Sequence, residues 1–191
     1  MVCDALENGE QSIILRKGGI HEGRTGFSFK HEQFVFFPTL FHEQVKHLKG
    51  HPSPPRCNKQ YTEHQPGDRI TIKCWAKLKC VWNLTCWETI KKLDPYHIWT
   101  IKTVRDRFEW SELADSQPGI KMALLRTYNL KQPWNIQYQK KHGGCRSWLK
   151  LEGFEPRLKE SSTPVIDDRQ YESTLQKLKE IAGSPDDHRE S

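Results

Sequence analysis

Hydrophobic and polar positions alternate most regularly after Gly67-Asp68. Ile70, Ile72, Cys74, Ala76, Leu78 and Cys80 share one parity there, and Arg69, Thr71, Lys73, Trp75, Lys77 and Lys79 share the other. A period of two sends successive side chains to opposite faces, so the spacing predicts a half-buried strand or bent strand pair with one core face and one cationic face. Upstream, residues 12–16 form a short β-type run that ends in Arg16-Lys17-Gly18-Gly19, a turn signal. Residues 27–37 first alternate Phe27 and Phe29 with Ser28 and Lys30, then become continuously apolar at Phe34-Val35-Phe36-Phe37, as a strand entering the core does. Pro38 stops it. Thr39 is placed to cap a helix on which Phe41, Val45 and Leu48 form one apolar stripe, and Gly50 and Pro52 end that helix.

Residues 50–67 hold Pro52, Pro54, Pro55 and Pro66 with almost no aliphatic side chain, which predicts a surface loop. Thr85-Cys86-Trp87-Glu88 fits a capping box, with Trp87, Ile90 and Leu93 continuing a short helix. A further helix is expected from Thr100, with Ile101, Val104 and Phe108 inward and Lys102, Asp106 and Arg107 outward. After a Pro118-Gly119 turn, residues 120–130 read as a strand buried on both faces and interrupted by Arg126. Residues 137–151 read as a strand pair broken by His142-Gly143-Gly144-Cys145. Residues 153–166 are polar linker. From Asp167 to 183 a C-terminal helix places Tyr171, Leu175, Leu178 and Ala182 along one side, followed by a disordered tail at 184–191. Without regular β-α-β alternation, the fold class expected is α+β: a small curved, mostly antiparallel sheet or barrel over residues 1–152, with flanking short helices and the C-terminal helix.

Composition narrows this picture. A chain of 191 residues suits one domain with a tail. Only 35% of it is apolar, so seven Trp and eight Phe must carry much of the core. No run of eighteen apolar residues exists, and acids stand among the first residues where a secretory signal needs a basic start, so a soluble, cytoplasmic protein without membrane contact is expected. The net charge of +6 is unevenly spread. Residues 1–151 hold 24 Lys/Arg against 14 Asp/Glu, and residues 152–191 hold 6 against 10, so a +10 body carries a −4 tail. A body of that charge favours a polyanionic partner.

The chemistry-bearing motifs are mostly missing. There is no GxxxxGK[ST], GxGxxG or G-x-S-x-G. Cys3, Cys57, Cys74, Cys80, Cys86 and Cys145 form no Cys-x2-Cys or Cys-x4-Cys pair able to hold zinc from one tight turn, so free thiols are expected. His47 and His51 stand at i and i+4, yet Gly50 and Pro52 take His51 off the helical face, and His42 adds no ligand spacing; neither metal nor cofactor is expected. No Asp/Glu-x-Lys occurs, although Glu22, Glu32, Glu43 and Asp68 remain candidate Mg2+ ligands for an alternative, metal-dependent nuclease-like reading. The strongest signal is the cationic strand face. Arg69, Lys73, Lys77 and Lys79 are placed to meet phosphates, with Trp75 among them to stack on a base. Arg16 and Lys17, and Arg146 beside the second Gly-Gly turn, are added phosphate contacts. The expected function is a non-catalytic nucleic-acid-binding module, of DNA or RNA; a protein-interaction adaptor using the acidic tail helix is a further alternative.

Four stretches in order carry a resemblance: Leu15-Arg16-Lys17-Gly18-Gly19-Ile20; Phe36-Phe37-Pro38-Thr39 with His42-Glu43-Gln44; His97-Ile98-Trp99-Thr100 with Arg105 to Trp110; and Gly143-Gly144-Cys145-Arg146-Ser147-Trp148. Together they resemble the family called domain of unknown function 1802. The resemblance implies an association with restriction-type endonuclease domains in some proteins and assigns no catalytic residue. The Gly67-Asp68-Arg69-Ile70 strand entry is also similar to PUA-like barrels, which implies a nucleic-acid or modified-base binding module.

Overall fold

The computed structural model describes residues 2–16, 32–37, 47–50, 65–110, 117–139, 148–149 and 160–186. Its elements run α1 (Val2–Glu7), β1 (Ile13–Arg16), β2 (Gln33–Phe36), β3 (Arg69–Leu84), α2 (Trp87–Lys91), a 3-10 turn (Asp94–Tyr96), α3 (Ile101–Glu109), β4 (Ile120–Gln137), β5 (Trp148–Leu149), β6 (Ser162–Pro164) and α4 (Asp168–Ala182). The fold is α+β. One antiparallel sheet is ordered β1-β4-β3-β2-β5, with β6 added on β4. Among the described residues the sheet is open, so the barrel alternative is not formed.

The two long strands, β3 and β4, are its spine, paired from Arg69↔Gln137 to Leu84↔Ile120. Their register shifts twice, between Ile72 and Cys74 and between Leu78 and Cys80. At the first, residues 130–133 of β4 lie opposite the single residue Lys73, and Pro133, which has no N–H to give the ladder, belongs to that segment. Each shift changes which parity faces which layer. Ile70 and Ile72 pack with Trp75, Val35 and Phe37. Cys74 and Ala76 belong instead to the layer of Leu6, Ile14, Phe34 and Leu125. Beyond the second shift Trp82 and Leu84 join Ile13, Met122 and Leu124. The strict alternation expected over residues 69–80 is therefore broken twice.

The helices cover this sheet with the side chains their spacing provides. Ile90 and Leu93 around α2, Val104 and Phe108 of α3, and Tyr171 and Leu178 of α4 close over Trp82 and Met122. Leu6 of α1 covers the other layer. Thr100 caps α3, its hydroxyl accepting from the Thr103 amide at 3.3 Å, and Asp167 caps α4, accepting from the Gln170 amide at 2.7 Å. The capping box at Thr85 is not made. The N-cap is Cys86, one residue later, which puts Glu88 at the second helical position rather than the third. Ile101, expected inward, is 43% exposed. At 100° per residue it falls outside the arc spanned by buried Thr103, Val104 and Phe108, whereas Arg107 falls inside it. Of the helix expected near 39–48 only His47 and Leu48 are described, and Leu48 bridges Trp99. The stretch expected as linker supplies β6, and past α4 the chain stays docked as far as Asp186, which bridges Val81 and accepts from Asn83 Nδ2 at 2.6 Å. No described helix is long and apolar enough to cross a membrane.

Candidate functional site

The β3 cations do not form one face. Arg69, Lys73 and Lys79 are exposed and Lys77 half-buried, with Lys73 and Lys79 sitting at the two register shifts and Lys77 lying between Gln33 and Arg126. Lys73 Nζ stands 3.8 Å from Glu7 Oε1, a surface contact of little energetic weight. Arg69, Lys77 and Lys79 make no ion pair among the described residues. Trp75 corrects the sequence expectation. It is 6% exposed and stacks on Tyr128 at 4.4 Å and 12°, because the shift at Lys73 turns it into the core with Ile72. Its ring is a packing element, not an open platform for a base. Arg126 is 4% exposed and donates to Asp168 Oδ1 at 2.5 Å, which holds α4.

A second cationic cluster gathers around Trp99. The segment 97–100 is tied on both sides: Lys49 N donates to Ile98 O at 2.9 Å, Thr100 N to His47 O at 2.8 Å, and Ile98 N to Gln11 Oε1 at 3.1 Å. The Gln11 contact brings the start of β1 against it, and Arg16 ends the same strand. Arg107 lies over the Trp99 ring, its Cζ 4.1 Å from the ring centroid. Burial, and then the neighbouring Arg16 charge, lower Arg107 to about 10. Lys49 Nζ donates to the carbonyls of Asp94 and His97 and pairs with Asp94 Oδ1 at 2.9 Å. His97 is 5% exposed, with neither ring nitrogen hydrogen-bonded among the described residues; burial and then Lys49 lower its pKa to about 4, so it is neutral at pH 7. Of the cations on α3, Arg105 pairs with Glu109 at 2.7 Å and Lys102 with Asp106 at 2.9 Å. Arg107 has no such partner among the described residues. The sequence reading placed it outward because it weighed polarity over angle; its spacing of four from Thr103, itself buried, was the available signal.

The remaining candidates are scattered. Glu32 sits beside Leu78, whose amide donates to its carbonyl at 2.7 Å, and Asp68 accepts from the Gln65 amide at 2.7 Å at the far end of β3. Ten strand residues separate these positions, roughly 30 Å along the strand. Glu22, Glu43, His42, His51, Cys57, Cys145, Lys17, Arg146 and both Gly-Gly turns lie outside the described residues. His47 Nδ1 is 3.0 Å from Thr103 Oγ1. Cys3, Cys74, Cys80 and Cys86 are free thiols, and no group of three His, Cys, Asp or Glu among the described residues is placed to hold a metal ion.

Set against known proteins, residues 1–177 match a family model described as "Domain of unknown function (DUF1802)". No curated protein and no solved structure matches the chain, and similarity to PUA-like barrels is not shown.

Proposed function

The chain belongs to the DUF1802 family, a domain of unknown function, and from its own geometry we propose that it is a non-catalytic nucleic-acid-binding module. One observation carries this reading: Arg69, Lys77 and Lys79 stand along β3 without ion pairs among the described residues, in a body of charge +10. Cations left unneutralised by the protein are available to phosphates, and each phosphate neutralised releases counterions. Lys73, with only its long contact to Glu7, joins them at small cost. Arg16, Lys17 and Arg146 add phosphate contacts near the Gly-Gly turns.

With Trp75 buried, the contacts go to the backbone of the nucleic acid and not to its bases, so binding is indifferent to sequence. The acidic tail helix has another use in this reading. α4 buries Tyr171 and Leu178 in the chain's own core, which leaves its apolar stripe engaged within the domain rather than offered to a protein partner. The test is fluorescence anisotropy of a labelled oligonucleotide over a salt series. Seven phosphate contacts give a slope of log K against log salt of about −5 on single strands. The double variant Lys77→Gln/Lys79→Gln reduces that slope by about 1.4, and base composition leaves affinity unchanged. A slope of zero, or a variant indistinguishable from wild type, contradicts the reading.

A further inference from the structure

β4 fills one edge of β3 as far as Leu84, but on the other edge β2 pairs only with Trp75, Ala76 and Lys77. The last contact on that side is the Leu78 amide donating to Glu32 O at 2.7 Å. From Lys79 to Leu84 this edge meets no named strand among the described residues, and an open edge is a template for another strand. The segment after α4 has begun to use it. Gly183 ends α4 with φ at 79°, a turn that suits glycine, and Trp82 Nε1 donates to its carbonyl at 2.9 Å. Three residues on, Asp186 N donates to Val81 O at 2.8 Å in an antiparallel bridge, and Asn83 Nδ2 donates to Asp186 Oδ2 at 2.6 Å.

Residues 187–191 lie outside the described residues, yet an antiparallel register counts forward from this bridge: 187 falls opposite Cys80, 188 opposite Lys79 and 189 opposite Leu78, beside Glu32. The charges along the edge complement that order. Burial pushes the Cys80 thiol up while Lys179 and then Lys79 pull against it, so two cations surround the position that Asp187 would face. Neither lysine makes an ion pair among the described residues, and neither does exposed Glu32, which Arg189 would meet. We propose that residues 187–190 extend the Asp186 bridge along β3 as an edge strand, setting Asp187 between Lys79 and Lys179 and Arg189 against Glu32, and that this acidic segment competes with nucleic acid for Lys79. The docking is independent of the nucleic-acid reading, whereas the competition rests on it. Exposed ion pairs are weak, so the segment lowers phosphate binding at Lys79 without abolishing it.

Three forms of the full chain test both halves: wild type, Asp186→Pro, which removes the N–H that donates to Val81, and Asp187→Asn/Glu190→Gln, which keeps the backbone and removes charge. Melting temperatures establish that all three fold. Acylation of Lys79 by an N-hydroxysuccinimide ester is followed by mass spectrometry, with exposed Lys131 as the internal reference. Docking predicts that Lys79 is labelled about threefold faster in both variants than in wild type, at every protein concentration. Equal rates in the three forms, or protection that appears only as wild-type concentration rises and so comes from the tail of a second copy, overturn the docking. Anisotropy of a labelled oligonucleotide reads the competition, which predicts that both variants bind about threefold more tightly. Faster Lys79 labelling with unchanged affinity overturns the competition and leaves the nucleic-acid reading standing. Absence of binding by all three forms overturns that reading and the competition with it, while the labelling rates still decide the docking.

Discussion

Trp75 stacks on Tyr128 across the β3–β4 ladder, ring centroids 4.4 Å apart and planes 12° from parallel. The pair belongs to a layer with Phe37, Ile70, Ile72, Trp134 and Tyr138, so Trp75 carries stability rather than recognition. Trp75→Ala is expected to cost about 3–5 kcal/mol in urea unfolding, the range for emptying a buried aromatic site. Trp75→Phe keeps most of that and leaves oligonucleotide affinity at the wild-type value. A mild Trp75→Ala with lost affinity would reverse the assignment.

Arg126 and Asp168 form an asymmetric pair, their side chains 5% and 95% exposed. The guanidinium also lies 4.6 Å from the Tyr171 ring. Removing Asp168 leaves a cation that cannot follow its partner into water, while solvent screens part of the loss. Asp168→Ala is expected to destabilise by about 1–2 kcal/mol, and Arg126→Met in that background to recover part of it. Hydrogen exchange should show the loss first in α4.

His97 gives the domain an acid-sensitive term. Its pKa lies at about 4, below the unfolded value of 6.5, so the unfolded chain binds the extra proton between those limits. Stability from this group is complete above pH 6.5 and is lost as pH falls towards 4, by about 3 kcal/mol in total. His97→Phe is expected to flatten the melting profile over that window. An unchanged slope would mean that the ring is protonated in the folded state.

Gly9 follows α1 with φ at 74°, and a Cβ there would stand 3.0 Å from Ile166 Cγ2. Both the left-handed backbone and the close approach resist a side chain, so Gly9→Ala is expected to cost about 2 kcal/mol. Pairing it with Ile166→Ala, which removes Cγ2, recovers the steric part.

The sequence made the elements legible and misplaced some of their faces. Periodicity found β3, α3 from its Thr100 cap and α4 from its Asp167 cap, since each rests on local spacing and a local cap. It missed the register shifts at Lys73 and Lys79, because the first depends on a partner strand that carries Pro133 some sixty residues away. That single shift is why Trp75 is core and why the four cations do not share a face. The 162–164 strand was equally hidden: three polar-to-neutral residues read as linker until β4 offers an edge. The cluster at Trp99 assembles from β1, residue 49, the 97–100 turn and α3, segments that local spacing does not connect.

Whether the unneutralised β3 cations bind nucleic acid through its phosphates is read from the salt dependence of oligonucleotide binding. Wild type is expected to bind single strands of different sequence alike, with affinity falling with salt at a slope of about −5, and Lys77→Gln/Lys79→Gln to bind more weakly with a slope of about −3.5. No binding by the folded protein at low salt, or binding whose salt slope the double variant leaves untouched, would contradict it.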